Sequence, residues 1–164
     1  MAATVRTLFA ELLVALRASH SLYDLRTTDS TYRVLVGEYE VPPTSGQPFV
    51  ALRFEDGSSG YGQAPLGQYE PGGAIVVAAW VPCDADDPSE RALDAMDLAN
   101  DCITAIQNAH AGSPATYPVL TGFHRMEAEG LEVYGDGASL PASAAGYGCA
   151  VWTFRFQHLQ TRGI

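Results

Sequence analysis

The run Ala74–Val81, with the sequence AIVVAAWV, contains no polar side chain. A short apolar run that is rich in β-branched residues and is ended by a proline, here Pro82, is typical of a strand covered on both faces. Such a strand lies in the middle of a sheet, and the rest of the chain must supply its neighbours and the layers that cover it. We therefore predict a sheet-containing domain with this run as the central strand.

A helix follows the apolar run. Asp87, Pro88 and Glu90 fit the N-cap, N1 and N3 positions of a capping box, and Gly112 and Pro114 lie where such a helix would end. One apolar stripe at helical spacing is predicted to face the sheet. It comprises Ala92, Leu93, Met96, Ala99, Ile103, Ile106 and His110.

The other elements complete an α+β order. Val5–Ala18 carries an amphipathic stripe and predicts an N-terminal helix. Further strands are predicted over Thr31–Val41, Phe49–Glu55, Thr121–Tyr134 and Tyr147–Leu159. The first two should pair as an antiparallel hairpin, and the third should contain a β-bulge at Gly130, where its alternation changes register. The order α-β-β-β-α-β-β predicts one α+β domain over 1–164, with a mostly antiparallel β-sheet and two flanking helices.

The predicted core combines the apolar faces of these elements. We expect the following side chains to be buried: Leu12, Val36, Leu52, Val77, Trp80, Met96, Ile103, Val133, Trp152 and Phe154.

Two long loops rich in small residues connect the elements, over 57–73 and 135–147. The first holds six glycines and two prolines, and loops of this length are usually functional or disordered. Its apolar side chains Tyr61, Leu66 and Tyr69 have no obvious core to enter. The loop is therefore either a plain surface connection or an arm that contacts a partner.

The charge balance excludes several classes of function. All nine basic residues are arginines, the net charge is −10, and there is no lysine. The chain therefore cannot use a P-loop lysine or a Schiff-base lysine. A protein this acidic lacks the basic face expected for sequence-specific DNA binding or for anionic membranes. No apolar run reaches the roughly 18 residues of a membrane span, and we expect no signal peptide.

Catalytic and metal-binding motifs are missing from the sequence. The three cysteines match no zinc or redox spacing, no HExxH or Gly-x-Ser-x-Gly motif occurs, and Asp84, Asp86 and Asp87 do not fit a calcium loop. We expect no catalytic, cofactor-binding or metal-binding residue. The stripe of Glu90, Asp94, Asp97 and Asp101, opposite the apolar stripe of the long helix, is interpreted as a solvated face, with a role in an acidic channel or interface as the alternative.

Several segments together resemble a known family. They are the N-terminal amphipathic helix, Tyr32-Arg33-Val34, the run 47–52 (QPFVAL), the apolar strand 75–81, the helix 90–109 and the closing run 151–156 (VWTFRF). In this order they resemble the tail terminator, or tail completion, proteins of long-tailed bacteriophages. The resemblance covers roughly residues 4 to 158.

This resemblance implies a structural virion protein of the tail and neck, assembled in the host cytoplasm. Family members form a six-membered ring that caps the tail tube, ends its polymerisation and offers a surface for head–tail joining. The implied partners are further copies of the chain, the tail tube protein and a neck or head-completion protein. DNA passes through the lumen without specific binding. The alternatives are another head–tail neck component, and a small cytoplasmic α+β enzyme or ligand-binding domain.

A ring would place the charged residues in two environments. Six copies would carry a formal charge of −60, six times the −10 of one chain, and unpaired charge is costly to bury. Candidate interface residues are Tyr61, Leu66, Tyr69, Arg33, Arg53 and Arg155. Candidate lumen acids are Glu90, Asp94, Asp97, Asp101, Asp56 and Glu70. Arg33, Arg53, Arg125 and Arg155 are expected to pair with acids across strands or between subunits.

Overall fold

A computed structural model describes residues 5–17, 34–37, 48–55, 68–69, 72–82, 87–111, 125–134, 146–157 and 160–161. Its helices are α1 (Val5–Arg17) and α2 (Pro88–Ala111). Its strands are β1 (Val34–Val36), β2 (Phe49–Glu55), β3 (Gln68–Tyr69), β4 (Gly72–Pro82), β5 (Arg125–Tyr134), β6 (Tyr147–Gln157) and β7 (Gln160–Thr161).

Five strands form the main sheet, in the order β1-β2-β4-β6-β5. Neighbours are antiparallel except β1 and β2. Strand β4 is central, and it is buried on both faces, through Val77 on one and through Val76 and Trp80 on the other. The predicted α+β class and element order are confirmed. Strands β3 and β7 form a separate two-stranded sheet.

The pairing of β1 with β2 differs from the prediction. The two strands are parallel, with Val34 opposite Val50 and Val36 opposite Leu52, so the predicted antiparallel hairpin is wrong. Parallel strands need a crossover connection that returns to the starting end. Because β1 has only three residues, the return covers only about 10 Å. The twelve residues between the strands are enough for that distance.

The predicted bulge in β5 is confirmed. The register with β6 shifts between Ala128 and Gly130, which leaves Glu129 as the extra residue. After the bulge, Leu131 lies opposite Trp152 on the helix-covered face.

The loop predicted over 57–73 is interrupted, which corrects that boundary. Gln68–Tyr69 pairs with Gln160–Thr161, and β4 begins at Gly72. Gly73 lies opposite Phe156 in β6, and the rings of Phe54 and Phe156 lie over it, so the strand continues through the glycine. Strand β6 begins at Tyr147, as predicted for the strand Tyr147–Leu159, so the loop predicted over 135–147 ends one residue earlier.

Both helices pack on the same face of the sheet, around one core cluster. The buried residues of α2 are mostly small, which differs from the predicted stripe. They are Ala95, Leu98, Ala99, Cys102, Ala105, Ile106 and Ala109. Small side chains allow close approach, and the carbonyl of Arg91 lies directly over Gly148 of β6. Leu93, placed by the prediction on the buried stripe, is 55% exposed.

Five members of the predicted core are buried: Leu12, Leu52, Val77, Trp80 and Phe154. Three more are only half-buried: Met96, Ile103 and Trp152. Val36 and Val133 are exposed, and their prediction as core residues is wrong. Both lie on the outermost strands of the sheet, β1 and β5.

Candidate functional site

A groove opens between α1 and the end of β2. Strand β1 ends at Val36, and Gly37 donates its N–H to the carbonyl of Leu52 at 2.8 Å. Gly37 has a φ of +138°, a backbone conformation that glycine adopts readily and residues with a Cβ rarely adopt. Beyond this point the described residues place no neighbour beside β2 on that side. Between α1 and residues 52–54, the described residues line a groove of about 570 Å³.

The walls of the groove are mainly apolar. Helix α1 contributes a stripe at i, i+3, i+4 and i+7: Arg6, Phe9, Ala10 and Leu13. The sheet contributes Val36, Gly37, Leu52, Arg53 and Phe54. Val36 is 47% and Phe54 38% exposed, so large apolar surface faces the opening.

Arginines are the charged residues among those that line the groove. Arg6 is exposed on the first turn of α1. Arg53 bonds to Glu55 through its guanidinium at 2.5 Å. An apolar floor beside guanidinium groups suits an occupant that combines an apolar group with negative charge. The lining contains no acid, histidine or cysteine among the described residues, so it supplies no general base there.

The acidic stripe of α2 is divided between two environments. Glu90 and Asp97 are exposed, and Asp94 and Asp101 are half-buried. The stripe therefore runs along the side of the helix as well as its outer surface, which corrects the prediction that it lies opposite the apolar face. The helix begins as predicted, because Asp87 accepts a hydrogen bond from the N–H of Ser89 at 2.8 Å.

The second face of the sheet carries an apolar cluster and an ion pair. Phe49 and Trp80 stack with ring centroids 5.8 Å apart, and Cys149 is buried beside them. Farther along the sheet, Arg155 of β6 bonds to Glu129, which confirms cross-strand pairing for that arginine. Arg53, in contrast, pairs along its own strand.

The predicted site residues are not brought together. Arg53 and Arg155 lie on β2 and β6, which are separated by β4. Tyr69 lies in β3. Five candidates lie outside the described residues: Tyr61, Leu66, Arg33, Asp56 and Glu70.

The described thiols are shielded. Cys102 and Cys149 are buried and unbridged. Burial raises the pKa of Cys149 to about 12. Burial, and secondarily the charge of Asp101, raises the pKa of Cys102. Neutral thiols are poor nucleophiles and poor metal ligands. No cluster of three potential metal ligands occurs within the part of the chain that the structure describes.

Among the helices described, none combines the length and apolar character needed to cross a membrane.

Of the residues that line the groove, Arg53 is a predicted candidate interface residue, but neither Phe9 nor Leu13 is predicted at a site. Phe9 and Leu13 belong to the amphipathic stripe of α1, and nothing in the sequence separates their side of the helix from the fully buried one. Leu93 carried no signal of its own either, because Glu90 and Asp97 flank it at i−3 and i+4, whereas Asp94 and Asp101 flank the fully buried Leu98 at i−4 and i+3.

No protein-family model matches the chain. The comparison with curated proteins finds no significant match.

Proposed function

We propose that this protein is a structural subunit of a bacteriophage tail. In this proposal six copies form a ring that caps the tail tube, ends tube polymerisation and presents a surface for joining to the head. The partners are other copies of the chain, the tube protein and a neck protein.

The observation that carries the proposal is the element order. The segments that resemble tail terminator proteins occupy α1, β2, β4, α2 and β6 of one sheet-and-helix layer. Two exposed surfaces also suit a subunit with several neighbours. One is the groove with Val36 and Phe54, and the other is Leu93 on α2.

The charge supports the same proposal. A chain with net charge −10 repels DNA, and a conduit must let DNA pass without tight phosphate contacts. Glu90 and Asp97 supply exposed negative charge on one helix.

Electron microscopy and native mass spectrometry of the purified protein test the proposal. We expect a six-fold ring of about 105 kDa, which is six copies of the 17.5 kDa chain. The same ring should be seen at the head-side end of tubes when the protein is added to polymerising tube protein, and those tubes should stop growing. Tubes that grow at the same rate and bind no ring would refute it.

The groove favours a second candidate, a small-molecule binding domain. Its volume of about 570 Å³ lies within the range of ligand pockets, and Arg6 and Arg53 suit an anionic head group. Native mass spectrometry distinguishes the two, because a monomer that retains a bound small amphiphile is the result this candidate predicts.

A further inference from the structure

Leu93 stands out on the surface of α2. It is 55% exposed, which is about the same as Val14 of α1 at 54%. Glu90 and Asp97 lie three residues before it and four residues after it, so all three side chains share one helix face. Both acids are exposed. We call this surface, Glu90–Leu93–Asp97, the acidic knob.

The groove has the complementary chemistry. Its apolar walls include Phe9, Leu13 and Val36, and its charged residues are Arg6 and Arg53. An apolar side chain flanked by two carboxylates fits an apolar groove flanked by the exposed Arg6 and by Arg53, which also pairs with Glu55 of its own strand. Charge complementarity of this kind sets partner choice and register, and guanidinium groups bind carboxylates bidentately.

The two surfaces lie on different parts of the molecule. The groove is formed by α1 and by the β1–β2 side of the sheet, whereas α2 packs on the central strands β4 and β6. Helix α2 also contacts α1, but Leu93 is exposed and is not among the residues that line the groove of its own chain.

We infer that the acidic knob of one copy docks into the groove of a second copy. The contact is head-to-tail, since it joins two different surfaces, and repeated contacts of this kind close into a ring or continue as a filament. The inference deepens the proposed function and rests on it only for ring closure. Self-association through these surfaces does not depend on a phage tail.

A pair of matched substitutions tests the apolar part of the contact. Leu93→Asp places a charge in the groove, and we expect the dissociation constant for self-association, measured by sedimentation velocity, to rise at least about tenfold. Val14→Asp is the control, because Val14 is 54% exposed on α1 but does not line the groove. It should associate like the wild-type chain. Both variants should keep the wild-type circular dichroism spectrum, because both side chains are exposed.

Charge reversal and rescue test the polar part. Arg6→Glu puts like charges together and should weaken association at least about tenfold. Because Arg6 lies in the first turn of α1, a glutamate there is compatible with the helix dipole. In the double variants Arg6→Glu/Glu90→Arg and Arg6→Glu/Asp97→Arg, opposite charges face each other again if the pair is the correct one. One of the two should recover association, and it identifies the acid that meets Arg6.

The outcomes separate this inference from the proposed function. If the wild-type protein forms six-fold rings that neither Leu93→Asp nor Arg6→Glu weakens, the docking inference is wrong and the ring proposal stands. If the substitutions weaken a filament or a different oligomer, the docking stands and the ring proposal fails. A wild-type chain that stays monomeric at the highest attainable concentration, or whose groove holds a small amphiphile that Leu93→Asp does not affect, overturns the docking.

Discussion

Replacement of Gly148 by alanine tests how closely α2 packs on the sheet. A Cβ at this position would lie 1.9 Å from the carbonyl oxygen of Arg91 and 2.5 Å from its carbonyl carbon. Carbon–oxygen contacts in proteins rarely come below about 3.3 Å. The first turns of α2 or the start of β6 would have to move by about 1.4 Å, and neither can escape by rotating a side chain, because the clash is with backbone.

The cost follows from this geometry. Overpacking of a well-packed core costs typically about 1–3 kcal/mol, and a backbone clash belongs at the upper end. We expect Gly148→Ala to lower the free energy of unfolding by about 3 kcal/mol. In a chain of this size that corresponds to a fall of roughly 6–12 °C in Tm.

Two other glycines provide graded controls. Gly130→Ala adds a Cβ that meets no atom within 4 Å, and alanine is preferred to glycine in a strand by roughly 0.5–1 kcal/mol, so this variant should be as stable as wild type or slightly more so. Gly73→Ala meets Phe54 Cε2 at 2.7 Å. Because Phe54 is 38% exposed and can turn away, the loss should be intermediate.

The assay is urea unfolding followed by far-ultraviolet circular dichroism, with equal m-values as the test that all variants unfold alike. The order of stability should be Gly130→Ala, then Gly73→Ala, then Gly148→Ala. If Gly148→Ala is as stable as Gly130→Ala, α2 does not lie over β6 at this position, and the contact between Arg91 and Gly148 is wrong.

The other predictions concern the core and the thiols. Leu12→Ala, at a fully buried position, should cost about 2–5 kcal/mol in urea unfolding, whereas Val14→Ala on the exposed side of α1 should change stability by less than about 0.5 kcal/mol; equal effects would contradict the orientation of α1. In a Cys83→Ser variant at about pH 8, a thiol reagent should label Cys102 and Cys149 slowly in the native protein and rapidly in the urea-unfolded protein. Fast labelling of the native protein would contradict the burial of these two thiols. Burial raises the pKa of Cys149 from 9.0 to about 12 in the folded chain. Its contribution to stability should therefore be complete below pH 9.0 and fall as the pH rises from there towards 12, which urea unfolding at several pH values across that window measures.

The features that were predicted correctly depend on signals within short segments of the sequence. The start of α2 depends on a cap that Asp87 provides within three residues, and the centre of the sheet depends on an uninterrupted apolar run. The bulge was visible because the alternation in β5 changes register within one strand. Each of these signals is contained in one short segment, so no knowledge of distant contacts is needed.

Long-range packing explains what the sequence did not predict. The direction of β1 relative to β2 depends on the path of a twelve-residue connection, and sequence periodicity is the same for parallel and antiparallel pairing. The buried side of α2 is set by how closely the helix approaches Gly148, and close approach selects alanines over Leu93 and Met96. A prediction that places the largest apolar side chains against the sheet therefore assigns the wrong side of α2 as the buried one.

The candidate site was predicted in part. Arg53, one of the candidate interface residues, lines the groove. On α2, the acids Glu90 and Asp97 are exposed, as expected of a solvated face. The groove could not be predicted, because it exists only where β1 ends before β2 does, and that difference in length is a property of the folded sheet.

The docking inference changes which acids can line a lumen. If Glu90 and Asp97 meet Arg6 and Arg53 of the neighbouring copy, they share Arg53 with Glu55 of its own strand, and the ring keeps its full formal charge of −60, six times the −10 of one chain. Most of that charge must then reside on acids outside the contact, because unpaired carboxylates are costly to bury between subunits. On α2, Asp94 lies four residues after Glu90 and three before Asp97, and Asp101 lies four residues after Asp97, so all four acids share one side of the helix. The docking contact would therefore cover the acidic stripe as a whole, and the acids that line a lumen would have to come from elements other than α2.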